Sequence, residues 1–96
     1  MKENIVLANK SLNKWCNTEN KNYYEGIEAL GNLFRYAVPK LVSNGFCISP
    51  KITLTNDEVG WYCLITPNAP STEGEITIVR DTPTEALFWA IREIIK

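Results

Sequence analysis

Residues 81–96 repeat apolar and polar positions with the period of an α-helix. At about 100° per residue, one broad apolar arc collects Ala86, Leu87, Phe88, Ala90, Ile91, Ile94 and Ile95. A helix start precedes this arc, because Thr82 is a typical N-cap and Pro83 suits the first helical position. Glu85 completes a capping box with Thr82. The pattern therefore predicts a capped amphipathic helix that closes the chain.

Helical spacing also appears twice in the first half of the chain. Residues 3–16 predict a short helix, with apolar positions at Ile5, Ala8, Leu12, Trp15 and Cys16. Three asparagines weaken it, because their side chains compete for backbone hydrogen bonds. Residues 17–22 are polar and predict a loop. A longer helix is predicted over residues 23–43, with apolar positions at Tyr23, Ile27, Leu30, Phe34, Val38 and Leu41.

Proline and glycine positions divide the remainder of the pattern into three strands. Pro39 predicts a kink in the second helix, and Asn44 with Gly45 predicts its C-cap. Residues 46–55 alternate with period two and predict a half-buried strand, whose apolar face carries Phe46, Ile48, Pro50, Ile52 and Leu54. Pro50 places that strand at a sheet edge or splits it. After a turn at residues 56–60, the strand over 59–65 is apolar on both faces. Residues 67–74 predict a loop, and 75–80 a third strand.

These elements predict an α+β fold in the order (α)αβββα, a three-stranded antiparallel meander with helices packed on it. A central strand that is apolar on both faces needs a cover on each. The weak N-terminal helix is the element available for the second face, which would give a three-layer α-β-α sandwich. The 96 residues suffice for one domain, 1–96. Within it, 1–21 form the short helix and loop, and 22–96 the αβββα core.

Charge and cysteine content narrow the classes of partner. The net charge of −1 provides no electrostatic reason to bind a polyanion, although residues 1–22 carry +2 and the remainder −3. Cys16, Cys47 and Cys63 are widely spaced, which fits a reducing cytoplasm and small buried thiols. No apolar run is long enough to span a bilayer, and no signal-peptide pattern is present. We expect a cytoplasmic protein without membrane contact.

The chain lacks the usual equipment of an enzyme. It contains no histidine, the commonest general base and a frequent metal ligand, and no glycine-rich phosphate-binding motif. We therefore expect no catalysis, no cofactor and no metal. The predicted topology gathers four acids at one sheet end, where a hard cation is the alternative to ordinary capping and solvated roles. They are Asp57, Glu58, Asp81 and Glu85.

The αβββα order is shared with double-stranded-RNA-binding domains, whose second helix begins with a lysine cluster that contacts phosphates. The corresponding position here carries Asp81 and Glu85, which would repel phosphate. Nucleic acid is therefore not an expected partner.

Trp89 falls among charged residues on the polar side of the closing helix. A large aromatic there either packs against the N-terminal segment around Leu12 and Trp15 or serves an interface, where tryptophan is a preferred residue. The second alternative makes its neighbours candidate partner-binding residues. The resulting set is Trp89, Glu85, Arg92, Glu93 and Trp15.

Four short motifs resemble the phage ABA-sandwich-domain family of small phage and prophage proteins. They are the segments 12–16 (LNKWC), 41–46 (LVSNGF), 59–62 (VGWY) and 81–87 (DTPTEAL). Arg80, Phe88 and Trp89 depart from the family pattern, which has an alanine at the first position and smaller residues at the others. The resemblance implies the fold and an origin in a phage or mobile element, and it implies no activity.

Together these features predict a non-enzymatic phage or prophage accessory protein that acts by protein–protein contact. The expected partner is a host or phage protein in the bacterial cell, such as a defence or regulatory protein that is inhibited, and a homodimer is the other form of contact. The alternative function is a small-ligand or nucleotide-binding module that uses the 67–74 loop and the sheet face.

Overall fold

The structure, a computed structural model, describes residues 4–96. Helix α1 spans Ile5–Cys16, and a second helical segment runs as α2 (Ala29–Asn32), a π-helical turn (Leu33–Ala37) and α3 (Val38–Ser43). Strands β1 (Lys51–Asn56), β2 (Trp61–Thr66) and β3 (Ile76–Arg80) precede α4 (Pro83–Ile95). The strands pair antiparallel in the order β1-β2-β3, so the predicted α+β fold is confirmed. Glu3, where the predicted first helix begins, lies outside the described residues.

The closing helix α4 forms as its sequence predicts. The Thr82 hydroxyl accepts a hydrogen bond from the Glu85 N–H at 3.1 Å, and Pro83 is the first helical residue. This cap satisfies one of the backbone donors that a helix start leaves unpaired. The apolar arc faces the core, with Ala86, Leu87, Phe88, Ala90 and Ile91 buried.

All the helices of the described chain pack into one core on the inner face of the sheet. Cys63 and Ile65 of β2 are fully buried in that core, beside α1 residues such as Leu12. On the outer face, Tyr62 and Leu64 are only half-buried. Helix α1 therefore shares a layer with the other helices, so residues 4–96 form two layers rather than three. The apolar residues on the outer face of β2 remain partly open to solvent.

The second helix begins later and buries a different stripe than the sequence pattern predicts. It starts at Ala29 rather than near residue 23, and Ile27 is fully exposed. Residues four apart form the buried stripe, which consists of Ala29, Leu33, Ala37 and Leu41. At the predicted kink, the N–H of Val38 donates to the carbonyl of Leu33, five residues earlier. This wider π-helical turn accommodates Pro39, which has no N–H and crowds a normal helix.

Pro50 separates β1 from an irregular segment, as its position predicts. Ser49 forms an isolated bridge with Asn68, and regular pairing of the edge strand begins at Lys51. Before Pro50 the predicted alternation is reversed, because Cys47 is buried whereas Ile48 is 78% exposed. This segment therefore belongs to the turn after α3 rather than to the sheet.

Candidate functional site

Two asparagines of α1 hold the loop that follows this helix. The Asn13 amide nitrogen donates to the carbonyls of Asn9 and Lys21, and its oxygen accepts from the Thr18 hydroxyl and the Lys21 N–H. Asn9 accepts from the Tyr23 N–H and donates to the Lys21 carbonyl. Two of the three asparagines that disfavour α1 therefore bond mainly to the loop, and the third, Asn4, caps the helix by accepting a hydrogen bond from the Val6 N–H at 2.8 Å.

The cysteines are buried free thiols, which confirms the expectation that they act as small core residues. Burial raises the pKa of the Cys63 thiol to about 12, and it also raises the pKa values of Cys16 and Cys47. A thiol must lose its proton to act as a nucleophile or metal ligand, so these three are chemically quiet. Within residues 4–96, no group of three cysteine or acidic side chains is arranged to hold a metal ion.

We expect the free energy of unfolding to fall as the pH rises above about 9. The unfolded Cys63 thiol ionises near its ordinary pKa of 9.0, whereas the folded thiol keeps its proton up to about pH 12. The stability linked to this thiol is thus complete below pH 9 and is lost progressively towards pH 12. Urea unfolding at pH 8, 9.5 and 10.5 measures the decline. In Cys63→Ala the decline should be shallower, by up to about 1.4 kcal/mol per pH unit; an equally steep decline would exclude Cys63 as its source.

Trp89 is half-buried and packs against the end of the sheet. Its ring meets Phe88 edge-on, with centroids 5.0 Å apart at 85°, and the Arg80 guanidinium lies 5.8 Å from its centroid. The last residue of β3, rather than the N-terminal segment, provides this contact. Arg80, Phe88 and Trp89 thus lie side by side at this end of the sheet. They form one cluster here, in which cation–π and ring contacts stabilise each other.

Trp15 makes its ring contact with Phe46, at a centroid separation of 6.0 Å and an angle of 72°. The C-cap of α3 positions Phe46, because Gly45 adopts φ 77° and the Phe46 N–H donates to the Leu41 carbonyl at 2.9 Å. Phe46 remains 42% exposed, and Trp15 is half-buried. The pair is therefore presented at the surface where α1 and α3 end. The alternating pattern missed this role, since it assigned Phe46 to the core face of a strand.

Two concave surfaces of opposite charge flank this ring pair. One, of about 400 Å³, is lined by Trp15 and Ile95 together with the cations Lys14 and Arg92. The other, of about 530 Å³, contains Phe46, Ile94 and the carboxylates of Glu73 and Glu93. We call the surface around the Trp15–Phe46 contact the ring-pair surface. It comprises Lys14, Trp15, Phe46, Arg92, Glu93 and Ile95.

Three of the five predicted partner-binding residues, Trp15, Arg92 and Glu93, come together in the ring-pair surface. Trp89 lies against Arg80, and Glu85 lies in the first turn of α4. The structure thus moves the centre of the candidate site from Trp89 to the far end of α4.

The 67–74 loop closes over the outer face of the sheet and forms another concavity of about 610 Å³. Its lining includes Leu64 and Thr66 from β2 and two opposite charges, Lys51 and Glu75. The Thr66 hydroxyl donates to the Glu75 carboxylate at 3.3 Å. This is the site that the small-ligand alternative requires, and its charged groups balance each other.

Comparison with known proteins identifies no match for this chain among protein-family models, curated proteins or solved structures. None of the helices formed by residues 4–96 has the length and hydropathy that crossing a membrane requires.

Proposed function

We propose that this protein binds another protein through the ring-pair surface and catalyses no reaction of its own. The contact between Trp15 and Phe46 carries this proposal, because two large aromatic side chains remain accessible between concave surfaces. Aromatic residues in such positions supply much of the binding energy of protein interfaces. The absence of histidine from the sequence and the protonated, buried thiols support a non-catalytic role.

The charges on the two sides of the ring pair support binding of a specific partner rather than non-specific hydrophobic association. Lys14 and Arg92 line one side, and Glu73 and Glu93 line the other. A partner with charges in the complementary order would dock in one orientation, since like charges brought together are costly. The resemblance to phage proteins favours a host defence or regulatory protein in the bacterial cytoplasm as this partner. A second copy of the chain is the competing occupant.

Phe46→Ser is expected to abolish capture of the partner from a host lysate and to weaken its measured affinity by about tenfold or more. Val59→Ser is the matched control, since Val59 is another exposed apolar residue, 73% exposed, in the turn between β1 and β2. It should bind as the wild type does. Affinity is measured by titration calorimetry with the purified partner, after circular dichroism shows that both variants are folded.

Equal capture by wild type and Phe46→Ser would contradict the proposal. Light scattering during size-exclusion chromatography tests the competing occupant. A dimer that Phe46→Ser converts to a monomer would assign the ring-pair surface to self-association instead of a foreign partner.

A further inference from the structure

A fourth concavity, of about 600 Å³, lies between the outer side of α1 and the loop that follows it. We name it the basic concavity, because three lysines and one glutamate line it, a local charge of +2. These residues are Lys10, Lys14, Lys21 and Glu19. The volume falls within the range of about 300–1,000 Å³ that small-molecule sites occupy.

Charge distinguishes the basic concavity from the other large concave surfaces. The one on the sheet face holds one lysine and one glutamate, Lys51 and Glu75. The one beside Phe46 holds two carboxylates, Glu73 and Glu93. Of these three surfaces, the one between α1 and its loop is the one whose net positive charge favours a multiply charged anion, and it shares Lys14 with the smaller concavity at Trp15. Lysine ammonium groups are common phosphate ligands, acting as mobile point charges with three donors each.

The walls of the basic concavity are held in place before any ligand arrives. The Lys21 carbonyl accepts hydrogen bonds from the Asn9 and Asn13 amide nitrogens, and the Lys21 N–H donates to the Asn13 oxygen. The Lys21 ammonium group lies 5.5 Å from the Tyr36 ring centroid, and the Arg35 guanidinium lies at the same distance from that ring. Preorganised groups lose less entropy when a ligand binds.

Tyr24 adds a flat apolar wall to this positive site. The Asn22 side chain accepts hydrogen bonds from the backbone N–H groups of Tyr24 and Glu25. The Tyr24 ring packs against buried Phe88, with centroids 6.0 Å apart at 60°. Its half-buried ring is therefore held at a concavity that is also lined by three lysines. Planar heterocycles stack favourably on such rings.

We propose that the basic concavity binds a nucleotide, with its phosphates on Lys10, Lys14 and Lys21 and its base against Tyr24. The site differs from the one on the sheet face, and the inference does not depend on the protein partner. Lys14 also borders the ring-pair surface. A nucleotide in the basic concavity would therefore alter the charge presented to a partner.

Titration of the ¹⁵N-labelled full chain with ADP, followed by amide chemical shifts, tests this proposal. We expect saturable shifts in α1 and the following loop, with a dissociation constant that is millimolar or tighter. The double variant Lys10→Gln/Lys14→Gln should weaken binding by about tenfold or more. The charge-matched control Lys51→Gln/Lys96→Gln replaces exposed lysines outside the concavity and should bind ADP as the wild type does.

Two ligands that each contain only part of ADP separate the contributions of the phosphates and the base to its affinity. Pyrophosphate and adenosine should each bind at least about tenfold more weakly than ADP. Pyrophosphate binding as tightly as ADP would overturn the nucleotide assignment, as would unchanged ADP affinity in the α1 double variant or the absence of saturable shifts. A 5′-phosphorylated oligothymidylate that binds about tenfold more tightly than ADP would assign the site to single-stranded nucleic acid instead. Phe46→Ser should bind ADP normally, so failure of either proposal is distinguishable from failure of the other.

Discussion

Asn13→Ala is expected to lower the free energy of unfolding by about 2 to 4 kcal/mol, far more than an ordinary polar substitution. The Asn13 side chain is 9% exposed and makes four hydrogen bonds, to Asn9, Thr18 and twice to Lys21. Alanine would remove these bonds and leave partly buried backbone groups of Lys21 short of partners. Urea unfolding followed by circular dichroism measures the loss.

The same network predicts where the Asn13 variant changes. The Thr18 hydroxyl has one hydrogen and donates it to Asn13, so the Tyr23 hydroxyl donates to Thr18 across their 2.7 Å contact. Loss of Asn13 removes bonds to both Thr18 and Lys21 of the loop after α1. Amide exchange should therefore accelerate in this loop before the rest of the fold opens. Asn56→Ala, at an exposed position of β1, should change stability by no more than about 0.5 kcal/mol. A loss of that size in Asn13→Ala would show that the network contributes little.

The role of these asparagines illustrates a limit of reasoning from the sequence. Propensity correctly identifies Asn9 and Asn13 as unfavourable in an isolated helix. Hydrogen bonds to the loop after α1 offset this low helix propensity. The loop reaches the two asparagines only when the chain folds back, so no local sequence pattern reveals these bonds. The one local indication is their spacing of four residues, which places both side chains on one face of α1 next to a polar loop.

The closing helix and the sheet were predictable because their local and long-range preferences agree. The Thr82 cap, the apolar arc of α4 and the period-two strands all favour the arrangement that the core requires. The second helix was predicted less well because large apolar residues dominated its pattern. Ala29 and Ala37 occupy the buried stripe, where small side chains allow close packing, and the π-helical turn changes the phase between them.

The candidate site was only half predictable, for a related reason. Trp15, Arg92 and Glu93 could be selected as residues that interfaces favour, but their meeting depends on how the ends of α1 and α4 pack. The period-two pattern places Phe46 on a strand face, because its alternation with Ile48 continues into β1. The C-cap at Gly45 breaks that continuity and turns Phe46 towards Trp15. The cap was visible in the sequence, whereas the direction of the chain after it was not.

Gly60→Ala is expected to destabilise the fold by about 2 kcal/mol or more, because its new methyl group would overlap a neighbouring strand. An added Cβ would lie 2.8 Å from the Arg80 carbonyl oxygen, a backbone atom that cannot rotate away. Gly60 also adopts φ 157°, which L side chains rarely do. Arg80 pairs with Trp61 at the end of β3, so relief of the overlap requires the β1–β2 turn or the end of β3 to move.

This movement has an optical signature that separates it from a uniform loss of stability. The Arg80 guanidinium faces the Trp89 ring, so displacement of the β3 end should change the tryptophan near-ultraviolet circular dichroism of the folded Gly60→Ala variant. Gly31→Ala is the matched control, since Gly31 lies in α2 and an added Cβ there would meet no atom within 4 Å. It should stabilise the helix by about 0.5–1 kcal/mol and leave the tryptophan spectrum unchanged. Urea unfolding should therefore show a lower free energy of unfolding for Gly60→Ala and a higher one for Gly31→Ala, although both variants add one methyl group. Equal changes in the two variants would contradict the close approach of Gly60 to β3.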